Sequence, residues 1–163
     1  MAKLPILRWP DPRLAMPCAP AVLSDDLAQL AADMLDTTYA AQGRGLAAPQ
    51  VGALIRLFVM DCTWKTGTPA PMVCVNPDIL WRADTTATGP EGCLSIPGII
   101  TQVPRATAIR LRWTTLDGQT VEQDMTGFAA ICAQHELDHL DGLLTLDRLD
   151  PPARARALAE YAA

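Results

Sequence analysis

The run TGFAAICAQHELDHLDG, residues 126–142, decides how the rest of the chain is read. Phe128, Ile131, Cys132, His135 and His139 recur at the spacing of one helical face, and Ala129, Ala130 and Ala133 keep the other faces small enough for close packing. A helix that is apolar or small nearly all round is a buried one, so a central buried helix is predicted here, ending at Gly142. The chain has only two histidines, and both lie in this run, four residues apart in His135-Glu136-Leu137-Asp138-His139. Imidazoles one helical turn apart can address a single metal ion, and a glutamate beside the first can serve as a base on water. The plainer reading is a pair of core histidines bonded to backbone.

Around this helix the pattern changes period. Short β-prone runs at 56–61, 71–76 and 106–113 are punctuated by prolines and predict short, mainly antiparallel strands. Asp117-Gly118, between 109–115 and 119–124, reads as a hairpin turn because such a pair tolerates positive φ. Residues 24–42 carry Leu27, Leu30, Ala31, Met34, Leu35 and Thr38 at helical spacing, with Ser24 as cap and Asp25 and Asp26 at the positive end. They predict a surface helix stopped by Gly43. A last short helix is predicted over about 151–162, where two prolines favour a first turn. The expected fold is a single α+β domain over residues 1–163, with strands surrounding the central helix and the 24–42 helix capping it.

Composition narrows the function. Of 163 residues half are apolar, the net charge is −5 and the isoelectric point is near 4.8. Lys and Arg do not cluster, so direct sequence-specific nucleic-acid binding is not expected. The longest apolar runs, such as 57–60 and 128–133, fall far short of the ~20 residues of a membrane span. Pro5, Pro10 and Pro12 break up what would be a signal peptide's apolar stretch, and a cytoplasmic location is expected. Five cysteines, an odd number without framework spacing, suit a reducing compartment and small core positions.

The third metal ligand distinguishes the enzyme classes. Gly142 sits where one protease pattern places its glycine, but Thr145 stands where that pattern needs a histidine. Glu160 imitates proteases whose third ligand is a glutamate on a later helix, and remains the rival. Cys132 lies one turn before His135 and would crowd three ligands along one helix, so it is read as lining the pocket. Cys93 is the better candidate, because Gly89-Pro90-Glu91-Gly92-Cys93-Leu94-Ser95 reads as a glycine-rich turn able to present a thiolate and bare amides. In 43–50 two glycines and two alanines precede Gln50, and such small residues let backbone approach a ligand closely.

Taken together, GRGLAAPQ at 43–50, EGCLS at 91–95 and QHELDH at 134–139 resemble the three motifs of the peptide deformylase family, in order. The resemblance runs over nearly the whole chain, including Val103-Pro104-Arg105. It implies that Cys93, His135 and His139 are metal ligands, that Glu136 is the catalytic acid/base, and that Gln50 and the Leu94 amide bind the oxyanion. Gly43, Arg44, Gly45 and Glu91 fall in the substrate-binding positions, and Ile131 and Cys132, with His135, form the floor of a methionine pocket. The resemblance further implies Fe²⁺ in the cell, with Zn²⁺, Ni²⁺ or Co²⁺ in a purified sample, and N-formylated nascent peptides as substrates. A ribosome contact through the short tail is left open.

The sequence departs from the family at Arg44, where an aliphatic residue is usual, and at Ile99-Ile100-Thr101, which lacks an arginine often present. An unpaired guanidinium is costly in an apolar pocket, so Arg44 is expected to lie across the pocket mouth with its head in water or on a carboxylate. Two alternatives follow. A deformylase-like fold can hold metal and bind peptides with altered or lost activity, or the chain is an HExxH metalloprotease with Glu160 as third ligand. A purely structural metal site would need Cys132, Asp138 or Glu160 as a fourth.

Overall fold

Ser24 opens the first helix: its hydroxyl accepts the Leu27 amide at 3.0 Å, and Asp25 and Asp26 complement the helix dipole. In the computed structural model, which describes residues 3–163, helix α1 spans Asp25–Ala40. Gly43 is not its stop. The chain leaves the helix at Gln42, which takes the left-handed conformation (φ 60°), while the Gly43 amide still reaches Thr38 O at 2.9 Å.

Strands β1 (Gly45–Ala47), β2 (Leu57–Met60), β3 (Met72–Arg82), β6 (Ala108–Thr114) and β7 (Thr120–Thr126) form one sheet in the order β1-β2-β3-β6-β7. All of its pairings are antiparallel. The predicted Asp117-Gly118 turn joins β6 to β7, with Gly118 at φ 87°. Alternation divides the sheet's two faces. Leu46, Leu57, Val59 and Val75 pack with Leu27, Ala31 and Met34 of α1. Ala47, Phe58, Met60 and Cys74 pack with Ala130, Cys132, Ala133 and Leu137 of the central helix. The expected cap is thereby corrected, because α1 covers the opposite face of the sheet and does not touch the central helix as a lid.

The stretch read as a glycine-rich turn is mostly strand. Thr86–Cys93 is β4, and it pairs along its length with β5, Ile96–Ala106, leaving only Leu94 and Ser95 to turn. Period-2 burial along β5 (Ile99, Thr101, Val103 and Arg105 in; Ile100, Gln102 and Pro104 out) supplies the partner that Gly89, Pro90 and Gly92 lack in propensity. Pro90 is tolerated because a two-stranded sheet consists of edges.

Helix α2 spans Gly127–Leu140 and lies between the sheet and the β4–β5 hairpin. It is buried from Ala130 onward apart from partly covered Ile131 and His135. Phe128, expected on the buried face, is 47% exposed because it occupies the first turn, at the mouth of the cleft. Helix α3, Pro151–Ala162, is capped by Asp150 on the Ala153 amide at 2.8 Å and packs on β5 through Ile96, Ile99, Leu146 and Ala157. Among the described residues no helix is long and apolar enough to cross a membrane.

Gly142, two residues past α2, has φ +79°, and a Cβ there would stand 2.7 Å from the Ala15 carbonyl oxygen and 2.9 Å from its carbon. Gly142→Ala is expected to destabilise by about 2–4 kcal/mol, combining left-handed strain with backbone overpacking. Chemical denaturation measures it; a loss under 0.5 kcal/mol would show that the turn relaxes freely.

Candidate active site

One turn of α2 puts the two imidazoles on the same side, with His135 Nε2 and His139 Nε2 3.3 Å apart. The β4–β5 turn brings Cys93 Sγ to 3.5 Å from His139 Nε2, and the three donor atoms all lie within 4.8 Å of one another. An ion bound tetrahedrally at about 2.05 Å from nitrogen and about 2.3 Å from sulfur sets those edges at about 3.4 and 3.6 Å. The residues present therefore fit a single metal ion of the kind that takes thiolate and imidazole. Glu160 stands exposed on α3 and outside this group.

Of the two imidazoles, His135 is oriented from behind, while His139 Nδ1 has no hydrogen-bond partner among the described residues. His135 Nδ1 donates to Glu91 Oε1 at 2.9 Å, which leaves Nε2 facing Cys93 and His139. Glu91 is in turn gripped by both ends of the Arg105 guanidinium fork, at 2.9 Å each. Arg105 Nη1 also donates to Asp138 at 2.6 Å, and Arg148 holds the same carboxylate at 2.7 and 3.1 Å. Burial alone would raise the Glu91 carboxyl, but Arg105 and His135 hold it down at about 2. With both oxygens taken by protein, Glu91 is placed to steady a ligand, although it also borders the cleft.

Glu136, like His139 Nδ1, stands outside this pairing. It is 4% exposed, its Oε1 has no partner among the described residues, and burial pushes its carboxyl up to about 7. A buried carboxyl near neutrality with a free oxygen is suited to exchanging protons. The imidazoles diverge. Burial opposes charge on His135, yet Glu136, Cys93 and Glu91 outweigh it and raise its pKa well above the usual value, whereas burial and the His135 charge hold His139 well below it. Two like groups 3.3 Å apart cannot both carry a proton.

Gln50 is tied at both ends of its amide. Its Oε1 accepts the Ala47 N–H at 2.9 Å, and its Nε2 donates to Ser95 Oγ at 3.0 Å while standing 3.7 Å from Cys93 Sγ. One N–H is thus committed to Ser95, and the Cys93 sulfur lies within reach of the amide nitrogen's other N–H. A cavity of about 470 Å³ opens here. Gly43, Arg44, Gly45, Glu91, Leu94, Ile131 and Cys132, all named from sequence, line it together with Gln50, Cys93, His135 and Glu136. Its glycines are needed: a Cβ on Gly43 would meet Leu94 Cδ1 at 2.9 Å, and one on Gly45 would meet Glu136 Oε2 at 2.5 Å and Cys132 Sγ at 3.0 Å.

Arg44 does not end on a carboxylate. Its guanidinium lies over the Phe128 ring, 5.1 Å from the centroid, so of the two expected surroundings, water or a carboxylate, the carboxylate is absent and an aromatic face lies beneath the charge. Sequence reasoning gave no role to Arg105 or Ser95 and considered Asp138 only as a fourth ligand of a structural metal site. Arg105 was detectable in principle as the one cation on the buried phase of β5, but only once β5 was recognised as a strand.

The polypeptide deformylase family model matches residues 3–155. The peptide deformylase of Alkalilimnicola ehrlichii is 51% identical over 157 residues, 96% of this chain and 87% of that one. Among solved structures, a peptide deformylase from Synechococcus elongatus in complex with actinonin superposes with a TM-score of 0.94 at 34% identity, covering 99% of this chain and 89% of that one. One from Legionella pneumophila gives 0.93 at 37%, covering 99% and 94%. The chain belongs to the polypeptide deformylase family and is a metal-dependent hydrolase.

The contact at Gly45 yields a direct expectation. Gly45→Ala should displace the Glu136 carboxylate and lower kcat by about 100-fold, the usual consequence of a misplacement near 1 Å, with metal content unchanged. Turnover and metal analysis of the purified variant test it; wild-type kcat would show that Glu136 has room to yield.

Proposed function

We propose that this protein removes the formyl group from N-formylmethionyl peptides, with Cys93, His135 and His139 holding one divalent ion and Glu136 moving the protons. The single observation that carries this reading is the spacing of the three donor atoms, 3.3 Å and 3.5 Å along the measured edges, beside a buried carboxyl with a free oxygen. An ion held there supplies Lewis acidity and lowers the pKa of water from 15.7 towards about 7. Glu136, near neutrality through burial, accepts a proton from the attacking water and returns it to the departing amine. The Leu94 amide and the Gln50 N–H on the Cys93 side stabilise the oxyanion formed on the former formyl carbon; one such donor typically contributes about 2.7–4 kcal/mol. Formyl is the smallest acyl group, which suits a site where glycines at 43 and 45 leave no room for a Cβ. Ile131 and Cys132 line the cavity as the floor for methionine.

On this reading residues 1–163 act as one catalytic domain, working in the cytoplasm on nascent chains, with Fe²⁺ as the ion in the cell and Zn²⁺, Ni²⁺ or Co²⁺ as replacements. A ribosome contact belongs to the same proposal and would use the short tail. Cys93→Ala is expected to strip the metal, whereas Glu136→Gln should keep it and lower kcat on a formyl-Met peptide by 10²-fold or more. Metal retention by Cys93→Ala with full activity would remove Cys93 from the ligand set.

Arg44 gives the cleft a cationic mouth. With the guanidinium over the Phe128 ring at the cleft edge, its N–H donors are available to an anion. Acidic formyl peptides are therefore expected to be favoured over neutral ones by about two- to five-fold in kcat/KM, the worth of an exposed ion pair, and Arg44→Ile should abolish that ratio while improving neutral substrates. Equal ratios in both proteins would make Arg44 a bystander.

A further inference from the structure

Residues 42–44 form one wall of the cleft, yet regular strand pairing begins only at Gly45. Their three carbonyls all accept hydrogen bonds, and each has a donor from one five-residue stretch, 61–65; Arg44 O is also approached by Cys132 Sγ at 4.0 Å. Lys65 Nζ donates to Gln42 O, the Trp64 indole N–H to Gly43 O at 2.9 Å, and the Asp61 backbone N–H to Arg44 O at 2.7 Å.

That stretch is itself anchored to α1. The Asp61 carboxylate is fully buried and accepts the Tyr39 hydroxyl at 2.6 Å, the Thr63 amide at 3.3 Å and the Ala70 amide at 3.1 Å. Trp64 packs edge-on against Tyr39, with centroids 5.2 Å apart. Asp61, Trp64 and Lys65 do not line the cavity. On its other side the wall presses on the chemistry, since Gly43 lies against Leu94 and Gly45 against Glu136. A wall loosened at 42–44 would change the space open to the substrate backbone, while Gly45, paired with Met60 in the sheet, stays in place beside Glu136.

We propose that Trp64, assisted by Lys65 and Asp61, is a positioning residue that clasps the cleft wall at 42–44 and so sets the width of the slot a peptide substrate enters. The inference rests on the deformylase reading for its substrate, but the clasp is a property of the wall and is measurable separately. It predicts an effect on peptide binding without an effect on the metal centre.

The test uses the full chain loaded with zinc or nickel. Trp64→Phe keeps a ring against Tyr39 and removes the N–H; Lys65→Met removes a bond at an exposed position where unfolding is not at issue. For a formyl-Met tripeptide, KM should rise about five- to ten-fold in Trp64→Phe and about two-fold in Lys65→Met, the range one hydrogen bond supports. Expected alongside are kcat within two-fold, unchanged metal content, and an unchanged Ki for acetohydroxamate, a probe small enough to meet the metal centre alone. Amide hydrogen exchange at 43–46 should quicken in both variants. Unaltered KM and unaltered exchange in both would overturn the clasp, as would a fall in kcat accompanied by a shifted acetohydroxamate Ki. If the wild type itself turned over no formyl peptide, the deformylase reading would fall, and exchange at 43–46 would still decide the clasp.

Discussion

A single buried guanidinium holds this architecture together. Arg105, on β5, binds Glu91 of β4 through two N–H groups and Asp138 of α2 through a third, with all three side chains nearly inaccessible to solvent. Arg148, beyond the end of α2, shares the Asp138 carboxylate. The hairpin that carries Cys93 and the helix that carries both histidines are thus joined by charge-assisted bonds rather than by apolar contact alone. Such a network is not automatically stabilising, because desolvating the ions costs about as much as pairing them returns. Its effect is directional: planar, bidentate geometry admits one register of hairpin against helix. In that register Glu91 reaches His135 Nδ1 and Cys93 reaches His139.

Cys93, Glu136 and Glu91 surround His135 and raise its pKa, while its neighbour His139 is pushed the other way. Glu136 differs from Glu91 through environment alone. Glu91 has Arg105 and His135 on its oxygens and stays ionised, whereas Glu136 has a free oxygen and a carboxyl pushed up to about 7 by burial. Two carboxyl groups near one imidazole are thereby separated into one held ionised and one poised near neutrality.

The cleft wall opposite is built by omission. Gly43 and Gly45 leave out a Cβ where Leu94 and Glu136 need the space, and the segment between them is held by its carbonyls through residues 61–65. Arg44 contributes the charged side chain of this wall, and the Phe128 ring lies beneath its guanidinium.

Much of this was legible in the chain itself. Helical spacing marked α1 and α2, and two leading prolines marked α3, to within a few residues, because periodicity, the Ser24 cap and proline's fixed φ are local properties. The motif residues were legible for a related reason: histidines four apart on a helix converge wherever that helix is placed. Residues 89–92 were misread because glycine and proline have turn propensities that only a long-range partner, β5, overrides. The same is true of Phe128, whose exposure depends on where the helix start meets the cleft. By itself, then, the sequence determined the three helices, the Asp117-Gly118 hairpin and the set of chemically active side chains. Only the tertiary structure decided that Arg105 would orient His135 through Glu91, that Arg44 would rest on Phe128, and that the 61–65 segment would grip the cleft wall, because each is a contact between residues distant along the chain whose geometry no local preference encodes.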